Sequence, residues 1–276
     1  EKLNGKELSY NNYNDIYFGL CIINTLPKGI GTTIIKHSNP SGVSIDRKQL
    51  FSFRQAFDSD PISSFGGVII CNYKIKYETA KEMSKKFFEV IVAKDFDDKA
   101  LSILRKKKNL RIIKNNQRYD PSVMVFNSIS KNLILQDSDN RIFNKRNFKV
   151  VSKRKPSKKI FNDLIFAFNV CRFVKSNAIV LSNGFSTVGI GSGQPSRLDS
   201  CEIALNKMKK FNHKTENLVA ASDAFFPFVD GIESLVQSGV KAIIQPYGSI
   251  RDKEIIKFAD STNTILVFSK TRHFRH

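Results

Sequence analysis

Short runs of β-branched residues recur along the chain, separated by longer stretches of helical periodicity, and this alternation confines the fold to the α/β class. The runs that read as strands are residues 32–35, 67–71, 90–93, 178–182, 187–190, 219–221, 242–245 and 265–268. Several are apolar at every position, as strands covered on both faces are. Between them the spacing predicts helices over 16–26, 76–88, 161–173, 199–210, 232–238 and 252–260, the last with a Ser249-x-x-Asp252 cap.

Residues 137–159 are polar and basic and lack the apolar rhythm on either side, which places a boundary near residue 150 and gives halves 1–150 and 151–276. Halves of similar size are compatible with an old duplication. With 41% hydrophobic residues including 23 Phe the chain can fill a sizeable core, which excludes disorder. No run approaches the roughly 18 apolar residues of a membrane span, and 160–174 is broken by Asn162, Asp163, Asn169 and Arg172. Cys21, Cys71, Cys171 and Cys201 are far apart, with no zinc or disulfide spacing, which fits a reducing cytosol. The sequence starts without Met and without a secretory signal, so a fragment of a longer protein is expected.

Lys and Arg total 45 against 25 Asp and Glu, a net charge of +20. The basic clusters at 105–108 and 153–159 lack the interleaved aromatics of a nucleic-acid stacking platform. Lys, Asn, Ile and Phe crowd the whole chain, as an AT-rich genome would impose, so the charge reads as solvated surface and no specific nucleic acid is expected. The rival class, a basic RNA- or DNA-binding module, would require affinity that falls steeply with salt.

Four segments have residues suited to chemistry. Lys36-His37-Ser38-Asn39-Pro40-Ser41-Gly42 leaves a strand where ligands gather in open α/β sheets. His37 can exchange protons near neutral pH and Lys36 can offer a fixed positive charge; a plain loop with a surface Lys and a hydrogen-bonded His is the alternative. Residues 58–67 end in Gly66-Gly67, where Gly66 suits a positive φ or a close approach to a ligand. Gly189-x-Gly191-x-Gly193 followed by Arg197 makes a potential anion cradle, although the spacing is not that of a dinucleotide site. In Ser222-Asp223-Ala224-Phe225-Phe226-Pro227-Phe228-Val229-Asp230, three aromatics beside a proline suggest a pocket for a flat heterocycle, with Phe226 left to the core. Residues 271–276 read as a frayed basic tail and His213 as an exposed bystander. A zinc deaminase is disfavoured because no His-x-Glu precedes a Pro-Cys-x-x-Cys, and no metal is expected.

Taken in order, Lys36-His37-x-Asn39-Pro40, Asp60-Pro61-x-Ser63-x-Phe65-Gly66, Lys175-Ser176-Asn177-Ala178-Ile179, Gly189-Ile190-Gly191-x-Gly193-Gln194-x-Ser196-Arg197, Ser222 to Phe228 and Arg272-His273-Phe274-Arg275-His276 resemble the AICAR transformylase domain of the PurH family. The resemblance starts at Gly5-Lys6-Glu7-Leu8-Ser9-Tyr10-Asn11-Asn12 and covers nearly the whole chain. It implies two cytidine-deaminase-like α/β/α units without zinc, a homodimer with shared active sites, and a cytoplasmic enzyme. The implied reaction moves the formyl group of 10-formyltetrahydrofolate, a cosubstrate, onto the 5-amino group of phosphoribosylaminoimidazolecarboxamide (AICAR). A structural monovalent cation would be compatible with this family.

By the same resemblance His37 manages the proton, Lys36 supports the developing charge and Asn177 helps hold substrate and transition state. Arg197 and Arg272 fall at nucleotide-contacting positions, Phe225 flanks the base, and Gly66, Glu89, Tyr10 and Asn11 lie on the substrate side. Pro227, Phe228 and Asp230 fall on the folate side. Ser41 stands where the family usually has Cys, Lys94 where it usually has Pro, and Ser192 and Pro195 where small or polar residues are common. The family's Arg-Tyr-Gly-x-Asn-Pro-His-Gln block and the preceding IMP cyclohydrolase domain are absent from this sequence. An inactive, dimerising fragment is therefore the alternative expectation.

Overall fold

In the computed structural model, which describes residues 1–116, 124–139, 143 and 145–276, the β-branched runs assemble into two six-stranded sheets. The first half runs β1 (Lys2–Asn4), α1 (Tyr10–Ile23), β2 (Gly31–Lys36), β3 (Asn39–Ile45), α2 (Gln49–Asp58), β4 (Val68–Cys71), β5 (Lys74–Ile75), α3 (Tyr77–Ser84), β6 (Val90–Ala93), β7 (Asp95–Phe96), α4 (Asp98–Arg105) and β8 (Arg111–Lys114). A hairpin follows, β9 (Met124–Ile129) with β10 (Asn132–Asp137). The second half runs β11 (Phe148–Val150), α5 (Lys158–Cys171), β12 (Ile179–Ser182), β13 (Thr187–Gly191), α6 (Arg197–Lys210), β14 (Val219–Ser222), α7 (Asp230–Gln237), β15 (Ala242–Pro246), α8 (Asp252–Ser261) and β16 (Ile265–Ser269).

The two sheets have one topology. The orders β1-β8-β6-β4-β2-β3 and β11-β16-β15-β14-β12-β13 each hold three parallel strands flanked by antiparallel ones, and corresponding helices connect corresponding strands. Neighbouring residues on a strand feed opposite cores: Ile35 and Ile70 face the cluster that includes α1 and α5, whereas Ile34 and Ile69 face α2, α3 and α4. Both faces are thus covered, which is why the strands are apolar throughout.

Several expected boundaries move. Helix α1 starts six residues early, at Tyr10, because Ser9 and Asn12 form a reciprocal capping box. Helix α2 was not foreseen: it buries only Ser52, Phe53 and Ala56, too thin a stripe to read as a period. Its small face is what β3 requires, since a Cβ on Gly42 would stand 1.8 Å from the Ala56 carbonyl oxygen. Ser249 does not cap α8 as expected. The N-cap is Arg251, whose amide donates to the Ser249 hydroxyl, while Asp252 accepts from Gly248 N–H. The polar segment 137–159 lies partly outside the described residues.

All four cysteines are buried and none is in a disulfide. Burial pushes the Cys71 and Cys201 thiols up to about 12. A thiol reagent at pH 8 is expected to label none of the four in the folded chain and all four after denaturation; rapid labelling of Cys71 or Cys201 without unfolding would contradict this packing.

Candidate functional site

The Lys36–Asn39 segment leaves the end of a strand, as expected, but in a tighter structure than a plain loop. Lys36 pairs with Asn39 across a two-residue hairpin turn, and Asn39 and Pro40 belong to β3. Pro40 is tolerated because β3 is an edge strand. His37 and Ser38 both have positive φ, 51° and 63°, in a turn that ordinarily takes Asn-Gly. Each such residue costs on the order of 1–3 kcal/mol, which surrounding contacts must offset.

Those contacts come from three directions. From α1, Asp15 Oδ1 accepts the Ser38 amide at 2.6 Å and Asn14 Nδ2 donates to Ser38 Oγ at 2.7 Å. Lys36 Nζ donates to the Gly66 carbonyl at 2.9 Å, and Gly66 takes a φ of 66°, the left-handed conformation its sequence position suggested. From the second half, the Lys175 amide donates to Asn39 Oδ1 at 2.9 Å. Burial raises the Asp15 carboxyl above its usual range, against the lowering effects of the Ser38 amide, His37 and Lys36. Glu89 belongs to the same cluster: its carboxylate accepts from Asn12 Nδ2 at 3.0 Å.

Asn177, Arg197, Phe225, Pro227, Phe228 and Asp230 line one cavity of about 480 Å³, together with Phe274. The Arg197 guanidinium is buried and already engaged: Nη1 pairs with Asp223 and donates to Ser222 Oγ at 2.8 Å, and Nη2 donates to Asn177 Oδ1 at 2.7 Å. Asn177 Nδ2 in turn donates to the Gln194 and Pro195 carbonyls, both at 2.8 Å. Ser176 Oγ donates to the second Asp223 oxygen. Phe226 is 1% exposed and belongs to the core, as read, while Phe228 is half-exposed beneath the Arg251 guanidinium.

The anion-cradle reading of the glycine-rich strand needs correcting. A Cβ on Gly189 or Gly191 would stand 2.1 Å from the Ala204 oxygen or 1.8 Å from the Ser200 oxygen, so both glycines serve the packing of β13 on α6. Nor is the C-terminal segment frayed. His273 is 2% exposed and pairs with Asp139, its amide donates to the Asp223 carbonyl, and Ser176 N–H donates to the Arg275 carbonyl. Arg275 Nη1 donates to the Phe173 carbonyl at 2.6 Å and reaches Asn39 Oδ1 at 3.5 Å, with its guanidinium over Phe18. His213 is half-buried with Nε2 3.4 Å from the Ser59 carbonyl, rather than an exposed bystander.

Tyr10, Asn11 and Arg272 stand apart: all three are exposed, and no hydrogen bond or ion pair joins them to the cluster among the described residues. Asp15, Asn14, Ser176 and Asp223 were not singled out as site residues. An acidic residue within the first two turns of a helix gives no sequence signal, and Asp223 stands in the sequence as one member of its motif with no role of its own marked out. A larger cavity of about 950 Å³ between Leu26, Phe51, Phe166 and Phe185 contains none of the expected site residues. Among the described residues no three His, Cys, Asp or Glu side chains converge to hold a metal ion, and no helix is long and apolar enough to cross a membrane.

A family model described as the AICARFT/IMPCHase bienzyme matches residues 1–207. The chain is 43% identical over 278 residues to the bifunctional purine biosynthesis protein PurH of Persephonella marina, an alignment spanning 100% of this chain and 53% of that protein. It is 41% identical over 276 residues to PurH of Aquifex aeolicus, spanning 99% and 53%, and 43% identical over 283 residues to PurH of Buchnera aphidicola subsp. Schizaphis graminum, spanning 100% and 53%. The chain thus spans about half the length of the curated relatives it matches.

Proposed function

The chain belongs to the AICARFT/IMPCHase bienzyme family, and from that premise we propose that it is a cytoplasmic AICAR formyltransferase, passing the formyl group of 10-formyltetrahydrofolate to the 5-amino group of AICAR. The observation that carries this reading is the Asn39–Lys175 hydrogen bond. It ties the Lys36–His37 turn of one half to the segment that leads into Asn177 of the other, which supports reading both segments as parts of the same formyltransferase machinery.

The amine of AICAR is a weak nucleophile because its lone pair is delocalised into the imidazole. Attack on the formyl carbon forms a C–N bond, places negative charge on the formyl oxygen and requires a proton to leave the amine. His37, exposed at the turn, takes that proton. Lys36 stabilises the oxyanion until the C–N bond to tetrahydrofolate breaks and the folate nitrogen is reprotonated. Asn177, oriented by Arg197, holds the substrate, with Phe225 against the base. Gly66, Glu89, Tyr10, Asn11 and Arg272 serve the nucleotide, while Pro227, Phe228 and Asp230 border the folate. We read residues 1–150 and 151–276 as two cytidine-deaminase-like units without zinc, a reading supported by the shared strand order of the two sheets. The test is direct: purified chain, AICAR and 10-formyltetrahydrofolate should release tetrahydrofolate only when all three are present.

A homodimer is part of the proposal. The hairpin β9–β10 leaves Phe126 68% and Leu133 74% exposed on one face and Ile129 and Ile134 exposed on the other. A two-stranded hairpin with apolar residues on both faces has little stability alone in water, and such surface marks an association site. Between Met124 and Asp137 the only charges are Lys131 and Asp137, so this segment can approach a second +20 copy without the repulsion the rest of the surface would impose. The double variant Phe126→Asp, Leu133→Asp is expected to run as a monomer by size exclusion with light scattering, at unchanged far-UV circular dichroism. A dimer that persists would remove the hairpin from the interface.

A further inference from the structure

We propose that Asp15, assisted by Asn14, is a positioning residue that holds the Lys36–Asn39 turn in its left-handed form and so fixes where Lys36 and His37 leave the sheet. The inference rests on the formyltransferase reading for its kinetic consequence, but not for its structural one.

The argument comes from the internal repeat. Asp15 is the sixth residue of α1, and Asp163 is the sixth residue of α5, the corresponding helix of the second half. Each lies against the hairpin that joins the two outer strands of its own sheet. Asp163 accepts the amides of Gly184 and Phe185 at 2.8 and 3.0 Å, as well as the Ser182 hydroxyl at 2.6 Å. Gly184 and Phe185 have φ of 65° and 66°, so the second hairpin also turns through two consecutive left-handed residues. Both acids are buried, and burial raises both carboxyls above their usual range. A helix-borne carboxylate clamping a left-handed hairpin is therefore a device of the repeated unit, present twice.

The two copies differ where function differs. In the second half the first left-handed position is glycine, which adopts that conformation without steric cost. In the first half it is His37, followed by Ser38, and neither is a residue a designer of stable turns would choose. A strained turn persists only where its surroundings over-determine it. Here they do so with four hydrogen bonds: Asp15 accepts the Ser38 amide, Asn14 donates to the Ser38 hydroxyl, Lys36 donates to the Gly66 carbonyl, and the Lys175 amide donates to Asn39 Oδ1. The ionisable groups that face Asp15 are His37 and Lys36 from the turn, Glu89 from the segment before β6 and Arg275 from the C-terminal segment. Lys36 from the turn and Arg275 from the C-terminal segment oppose one further acid, Glu89, so the carboxylate has cationic neighbours without a dedicated salt-bridge partner among the described residues.

The test uses four variants of the full chain: Asp15→Ala, Asp15→Asn, Ser38→Gly and the double Asp15→Ala, Ser38→Gly. Two readouts are followed. Hydrogen exchange of the peptide spanning residues 36–39 reports the clamp, and steady-state kinetics with AICAR and 10-formyltetrahydrofolate reports its consequence. Asp15→Ala should lose protection at this turn and lose kcat by on the order of 10- to 100-fold, as expected when a reacting group is displaced by about 1 Å, with KM for AICAR within about threefold. Asp15→Asn keeps an oxygen to accept the Ser38 amide and should recover most of kcat. Adding Ser38→Gly to Asp15→Ala removes the steric cost at that position and should restore turnover in part. Wild-type kcat in Asp15→Ala, or a loss that neither Asp15→Asn nor Ser38→Gly relieves, overturns the proposal. If the wild-type chain transfers no formyl group, the formyltransferase reading fails by itself and exchange decides this one: protection lost in Asp15→Ala and regained in the double variant supports the clamp, and unchanged protection refutes it.

Discussion

Replacing His37 with alanine is expected to lower kcat for AICAR-dependent tetrahydrofolate release by on the order of 10²- to 10⁴-fold, the range that removal of a general base produces. The fold should be untouched, because His37 is exposed at the tip of the β2–β3 turn and its side chain belongs to no core cluster. Lys36→Met should cost about 10²- to 10³-fold, as loss of one group stabilising an oxyanion does. It also releases the Gly66 carbonyl from Lys36 Nζ, so some rise in KM is expected beside the fall in kcat. Single-turnover measurements with enzyme in excess would separate the chemical step from folate release. A His37→Ala chain turning over within about threefold of wild type would show that the proton leaves by another route.

The contrast between legible and illegible features follows burial. Strands covered on both faces announce themselves, and every strand expected from sequence is present within one or two residues, because alternate side chains such as Ile34 and Ile35 are both fully buried. Elements that pack through small residues or backbone were missed. Helix α2 meets β3 through Ala56 and Gly42, and α4 buries only Ala100 and Leu104, so neither presents an apolar stripe. The edge strand β3 was hidden behind Asn39-Pro40, whose usual meaning is a turn. The likeness of the two halves, which the amino-acid sequence does not display, is seen in their strand order and in the matched positions of Asp15 and Asp163.

The candidate site divides in the same way. Residues that form ordered motifs, such as Lys36-His37 and Phe225 to Phe228, could be found from sequence because the type of residue is itself unusual at a strand end. Their supports could not. Asp15 stands 23 positions from the amide it accepts and Asp223 lies 26 positions from the arginine it holds, separations that no local pattern encodes. The C-terminal segment looked like a basic tail because its charge is visible and its partners are not. Arg275 is anchored by the Phe173 carbonyl and the face of Phe18, and its burial lowers the guanidinium to about 10.

The largest expected effect on stability is at Asp223. Its side chain is 1% exposed, that of Arg197 is 8% exposed, and the pair is surrounded by Ser176, Ser222 and Asn177 rather than by water. Asp223→Ala leaves a buried guanidinium with only two neutral oxygens as acceptors, and strips Ser176 Oγ of its partner. Removing one member of a buried ion pair costs about 3–5 kcal/mol, mostly as the penalty of the uncompensated charge. That loss should appear as a lower urea midpoint at unchanged slope. The source of the penalty can be tested separately. If the stranded charge is the cause, adding Arg197→Met to Asp223→Ala should recover part of the loss, because an apolar side chain needs no counterion; if the cause is lost packing, the two changes should add. Asp223→Ala should also weaken the hold of Arg197 Nη2 on Asn177 Oδ1, since the guanidinium is then free to turn toward the cavity. A variant that loses less than about 1 kcal/mol would show that the pair is solvated in the folded chain, and would remove Arg197 as the group that orients Asn177.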